Sequence, residues 1–125
     1  MSHEKVGSLV RRLAVATQKQ GNLWERTTED AVFQASFPGY SVRLARAMGY
    51  QNEDLIILSI FDEDGALVEQ VDDSDLNSVL RNSYQVMLDL YEAARRQAMG
   101  VEQALDTILE ALGEEDPEKE EDLPF

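Results

Sequence analysis

There is no cysteine in the 125 residues of this chain. Disulfides, thiolate nucleophiles and thiolate-bound metals are therefore excluded. Histidine is almost missing as well. His3 is the single one, and it stands where chain ends fray. An imidazole general base, a catalytic triad or a histidine-ligated metal site has only that residue to build on. Apolar runs are short. The longest, Leu55 to Leu58, is broken by Ser59 before Ile60 and Phe61, far below the ~20 residues of a membrane span. The opening Met-Ser-His-Glu-Lys-Val has no signal-peptide apolar region. Together these absences lead us to expect a cytoplasmic protein away from membranes. The seven glycines are scattered and form neither nucleotide-binding pattern. No catalytic residue, cofactor or metal site is therefore assigned.

Positive charge is scarce. Eleven Lys and Arg stand against 25 Asp and Glu, a net charge of −14. The imbalance is local. Residues 1 to 46 hold seven bases and four acids, a net of +3, whereas the remainder holds four bases and 21 acids, a net of −17. Such a surface repels phosphates and argues against direct nucleic-acid binding. It suits a basic protein partner, or simple solubility.

What is present reads as one small domain. Val6, Leu9, Val10 and Leu13 have helical spacing over residues 4 to 20, with Gly21 as the expected stop. Residues 31 to 37 alternate, with Ala31, Phe33, Ala35 and Phe37 on one face. Pro38-Gly39 makes a turn, and Tyr40, Val42 and Leu44 face inward on the return strand. Ala47 to Asp54 reads as a loop with Met48 and Tyr50 packing back. Leu55 to Phe61 reads as the most buried strand, with Ile57 in the core. Asp64-Gly65 is a hairpin turn before a strand over residues 66 to 71.

Asp73 or Ser74 is expected to cap a long helix over residues 74 to 98. Its apolar stripe is Leu76, Val79, Leu80, Tyr84, Met87, Leu88 and Tyr91, and it ends at Gly100. A shorter helix over 102 to 112 carries Leu105, Ile108, Leu109 and Leu112 and stops at Gly113. The two helices would cover the sheet. The expectation is an α+β domain over residues 1 to 113: an N-terminal helix, a four-stranded antiparallel meander and two C-terminal helices. Exposed sheet edges and leftover apolar helix faces leave a homodimer open. Over residues 114 to 125, seven acids and one Lys meet few apolar side chains, the composition of a disordered acidic tail.

Individual constellations favour structural roles. Asp62-Glu63-Asp64-Gly65 lacks calcium-loop spacing and reads as a turn. Asp72, Asp73 and Asp75 suit a helix N-terminus. Glu102 and Asp106 share a helix face, as chance allows in so acidic a chain. Trp24, between the first helix and first strand, reads as a plug at the edge of the core.

The tail is the one segment with a specific signature. It closes in Glu120-Glu121-Asp122-Leu123-Pro124-Phe125. Phe125 joins a ring to a free carboxylate. Pro124 stiffens the approach, and the acids supply attraction to a basic rim. A partner would offer an apolar pocket with an Arg or Lys for the carboxylate. The ending resembles the acidic Asp-Leu-Pro-Phe tip of bacterial single-stranded DNA-binding proteins. That resemblance implies recruitment of replication and repair factors by residues 120 to 125, and covers nothing else of the chain. The body shows neither that family's oligonucleotide-binding barrel nor a basic aromatic groove. Leu90 to Ala98 is similar to a helix of small bacterial proteins and implies no activity. Two functions follow as expectations. One is a non-enzymatic interaction module that docks through its tip. The other is a regulatory or assembly domain of the immunity or antitoxin kind, with a tail that only solubilises it.

Overall fold

A computed structural model describes residues 3 to 113 and Asp116. The elements run α1 (Glu4–Lys19), β1 (Trp24–Arg26), β2 (Val32–Phe37), β3 (Tyr40–Met48), β4 (Asp54–Asp62), β5 (Leu67–Asp72), a 3-10 turn (Asp73–Leu76), α2 (Ser83–Ala98) and α3 (Val101–Leu112). The five strands form one antiparallel sheet in chain order. The α+β class is as expected, but the sheet has five strands rather than four. The extra strand is β1, three residues pairing Trp24 with Ala35 and Arg26 with Phe33. Three residues show too little alternation to mark a strand.

Alternation in the central strands supplies the core. Phe33, Ala35, Val42, Leu44, Ile56, Leu58 and Val71 point to the helical side and are buried. The inward face of β4 therefore carries Ile56 and Leu58. Ile57 is only half-buried, a correction of one residue, which in a strand means the opposite face. In an apolar run such as Leu55-Ile56-Ile57-Leu58, composition leaves the parity undetermined. Phe37, Tyr40, Met48 and Tyr50 are exposed, so the expected inward packing of these four does not occur. β3 runs on to Met48, pairing with Asp54, and the expected loop shortens to the turn after it.

α2 closes the helical side with Met87, Leu90, Tyr91 and Ala94, and α1 adds Val10 and Leu13. α1 comes close to the segment after the 3-10 turn because Gly7 has no side chain. A Cβ there would lie 3.2 Å from a methyl of Val79. The long helix expected over residues 74 to 98 is interrupted. Asp72 caps the 3-10 turn reciprocally with Asp75. Ser83 then donates to the Asn77 side chain at 2.7 Å, and Asn82 takes a left-handed conformation, φ 56°. Asn and Ser side chains compete with helical hydrogen bonds in this way. Tyr84 leaves the apolar stripe and is exposed.

Gly21 does not end α1 in a left-handed cap, for Gln20 is extended there. Gln97 of α2 takes that role. Its side-chain N–H groups donate to the carbonyls of Thr17 (2.6 Å) and Gln20 (2.8 Å). Its oxygen accepts from the backbone of Leu23 (3.0 Å) and Trp24 (3.3 Å). One amide thus fastens the end of α1 and the start of β1 to α2, satisfying groups a helix end leaves open. Trp24 is the buried plug expected.

The opposite face of the sheet has no helix over it. Gln34, Arg43, Ser59 and Gln70 stand in register across four strands. Arg43 donates to Gln34 at 2.8 Å, Gln70 donates to Ser59 at 3.0 Å, and the Arg43 guanidinium sits 5.0 Å above the Phe61 ring. Polar groups on this face find partners within the face, so it is compatible with water.

Candidate interaction site

α2 ends at Met99 and Gly100. Gly100 has φ 65°, a left-handed conformation that costs other residues more. The chain reverses there and starts α3. Arg96 pairs with Glu102 across the junction. Met99 is exposed, and Gly113 ends α3 with φ 102°.

α3 is a helix of twelve residues without a buried one. Leu105 is 45% exposed, Ile108 55%, Leu109 60% and Leu112 78%. Helical spacing gathers these side chains on one stripe, and its opposite side carries Asp106 and Glu110. The expectation that this helix helps to cover the sheet is therefore corrected. The helical side of the core is closed by α1 and α2, and α3 projects past it. Contiguous apolar surface of this kind marks interaction sites. The open sheet face pairs its polar groups, although it also carries the half-buried Ile57 and Phe61 and the exposed Leu67.

Two other places were candidates on chemical grounds. At the first, Arg46 grips Asp54 in a fork, Nε to Oδ1 at 2.9 Å and Nη2 to Oδ2 at 2.8 Å. The Tyr84 hydroxyl donates to Asp54 Oδ2 at 2.5 Å. The Arg46 guanidinium, then the Tyr84 hydroxyl, hold the Asp54 carboxyl below its ordinary value, and Asp54 in turn raises the Tyr84 phenol and Arg46. Glu92 extends the group, 3.4 Å from Arg46 and 3.2 Å from Arg95. Every charge there has an opposite partner, and the effect is to tie the β3–β4 end to α2. A satisfied brace of this kind is structural.

At the second, a cavity of about 250 Å³ lies between the β1–β2 loop and the end of α2, lined by Arg26, Glu29, Asp30, Phe33, Arg95 and Met99 among others. Two cations face two acids, so neither sign of ligand is selected. Its wall includes Ala31 at φ 63°, whose carbonyl accepts from the Tyr91 hydroxyl at 2.9 Å. Burial, first, raises the Tyr91 phenol.

Among the described residues, no three His, Asp or Glu stand together as metal ligands, and no helix is long and apolar enough to cross a membrane. Asp62 acts as the turn residue expected, accepting from the backbone of Asp64 and Ala66, each at 2.9 Å. Asp73, an acid in the first turn of the 3-10 segment as Asp75 is, is buried and accepts from the Ile56 amide at 2.7 Å, which ties that turn to the sheet. The partner-binding candidates Glu120, Glu121, Asp122, Leu123, Pro124 and Phe125 lie outside the described residues. The apolar α3 face was legible in the spacing of Leu105, Ile108 and Leu112, but spacing alone does not distinguish a core face from an uncovered one. No match to the chain was found among protein-family models, curated proteins or solved structures.

Proposed function

We propose that this protein is a non-enzymatic interaction module. Its acidic tip, Glu120 to Phe125, docks on a replication or repair factor that offers an apolar pocket with a basic rim. The observation that carries the reading is the ending Asp122-Leu123-Pro124-Phe125 behind a run of acids. It is supported by the position of α3, which buries no residue. A chain leaving from Gly113 departs from a projecting helix rather than from the core. Ring, terminal carboxylate and flanking acids are the elements of a short anchored recognition segment. Pull-down from bacterial lysate with the intact chain and with a chain ending at Asp122 tests it. Replication or repair proteins retained by the first and lost from the second are the expected result. Equal recovery from both overturns it.

The apolar stripe of α3 favours a second reading, an assembly or regulatory domain whose tail solubilises it. Under that reading the truncated chain retains its partners, and substitutions in α3 abolish them.

A further inference from the structure

We propose that the cavity between the β1–β2 loop and the end of α2 binds a free amino acid with an apolar side chain. The proposal is independent of the tip and of α3.

The first support is charge that stands unanswered. Arg26, Glu29, Asp30 and Arg95 all line this cavity of about 250 Å³. Among the described residues, Arg26, Glu29 and Asp30 take part in no ion pair. Arg95 donates only through Nε, to Glu92 at 3.2 Å, which leaves its two terminal nitrogens without a partner among the described residues. Two cations and two acids thus share one cavity without neutralising one another across it. A ligand of one sign meets as much repulsion as attraction there. A zwitterion meets a partner at each end, its carboxylate at the guanidinium groups of Arg26 and Arg95 and its ammonium at Glu29 and Asp30.

The second is how these groups come to surround an apolar floor. Strand alternation puts Arg26 on the same side of β1 as Trp24, and Arg26 pairs in register with Phe33. Trp24 is buried, whereas Arg26 is exposed, so the core ends at the ring and a guanidinium takes the next inward position. On α2, Tyr91, Arg95 and Met99 follow at intervals of four along one stripe. Phe33 is buried and packs on Tyr91, ring centroids 5.6 Å apart. Phe33 below and Met99 at the margin offer an apolar side chain a surface to cover. An apolar floor with a few convergent polar groups is the common form of a small-molecule site.

The third is preparation of the loop. Ala31 has φ 63°, a backbone region that a residue with a side chain keeps only where its surroundings fix it. The Tyr91 hydroxyl, donating to the Ala31 carbonyl at 2.9 Å, supplies one restraint. Thr27 supplies another: its hydroxyl accepts from the Glu29 amide at 3.1 Å and lies 2.9 Å from the Val32 carbonyl. The two acids are therefore carried on a loop held from within the protein, and a ligand has little left to order on binding.

Amide NMR spectra of the isotopically labelled full chain, titrated with leucine to ~20 mM, test this. The expected result is saturable shifts confined to residues 27 to 33 and 95 to 99, with half-saturation at ~1 mM or below. Leucinamide lacks the carboxylate and isocaproate lacks the ammonium. Each should bind at least ~10-fold more weakly, because each leaves one pair of charges unanswered. Arg26→Gln should weaken leucine and leave leucinamide as it is in the parent. The double variant Glu29→Gln, Asp30→Asn should weaken leucine and leave isocaproate unchanged. All three positions are exposed, so thermal unfolding of both variants should match the parent, which separates loss of binding from loss of fold. Absence of saturation by ~20 mM leucine overturns the proposal. Shifts that map to another surface overturn it equally, as does either analogue binding as tightly as leucine or Arg26→Gln weakening leucine and leucinamide alike.

Discussion

The indole N–H of Trp24 donates to the Thr17 hydroxyl at 2.9 Å, and that hydroxyl donates to the Leu13 carbonyl at 2.6 Å. Trp24 is 3% exposed and Thr17 4%. One side chain of α1 thereby satisfies the polar edge of the ring that seals β1. Thr17→Val keeps the shape and removes the acceptor, leaving a buried N–H unpaired. Unfolding in urea should show a loss of ~1–3 kcal/mol, and Thr17→Ser should retain most of the stability. Parent-like stability in Thr17→Val with a loss in Thr17→Ser would assign the effect to the methyl group instead.

Gln97 fills both donors and its acceptor in one position, with contacts at 2.6, 2.8, 3.0 and 3.3 Å. Gln97→Leu preserves bulk and strands these backbone groups. A loss of about 1–3 kcal/mol is expected. The sharper readout is local: amide exchange at Leu23 and Trp24 should accelerate beyond what global destabilisation explains. Parent-like exchange at both amides would dismiss the clamp.

The face assignment of β4 is checked by neighbouring truncations. Leu58→Ala removes a fully buried side chain and should cost ~2–5 kcal/mol. Ile57→Ala, on the half-buried face, should cost less than half as much. Equal costs from denaturant unfolding would mean that the outer face is covered in solution.

The Arg46–Asp54–Tyr84 brace predicts a pH profile with two limbs. Asp54 has a folded value below its ordinary 3.8. Its contribution is fully present above that ordinary value and disappears as pH falls through the lower, folded one. Tyr84 has a folded value above its ordinary 10.0. Its contribution is present below 10.0 and disappears as pH rises through the folded value. The stability difference between the parent and Tyr84→Phe should therefore be flat between about pH 5 and about pH 9 and narrow on both sides. A difference that grows in alkali would contradict the donor role of the phenol.

In the docking we propose for the tip, Phe125 dominates, since there it supplies both ring and carboxylate. Phe125→Ala should lower affinity for a partner recovered by pull-down by ~2 kcal/mol or more. A one-residue extension should hurt nearly as much, and charge reversal at Glu120 and Glu121 should mainly slow association. Full binding by both Phe125 variants would sink the recruitment reading.

The fold was legible wherever residues face consistent surroundings. The spacing of Val10 and Leu13 in α1, the Asp64-Gly65 turn and the alternation through Val42 and Leu44 all mark structure directly. It was illegible where one pattern serves two environments. The four apolar residues Leu55 to Leu58 read alike from either face, so the pattern does not separate Ile57 from its buried neighbours Ile56 and Leu58. Leu105, Ile108 and Leu112 read as a core stripe because periodicity reports a helical face and not its neighbour. Gln97 gave no signal because its partners are backbone groups 77 and 80 residues away at Gln20 and Thr17. Tyr84 reads as part of the apolar stripe by spacing, whereas its hydroxyl is taken by Asp54.

One consequence of the Gly100 junction concerns how this molecule tolerates change. α3 contributes no side chain to the core, so drift in its sequence leaves the folding of α1, α2 and the sheet nearly untouched. Twelve residues are also few for an isolated helix in water, so α3 gains much of its order from whatever lies against it. Substitutions there can then reshape the outward arm, altering which surface it accepts, while the packing of the scaffold behind it is kept.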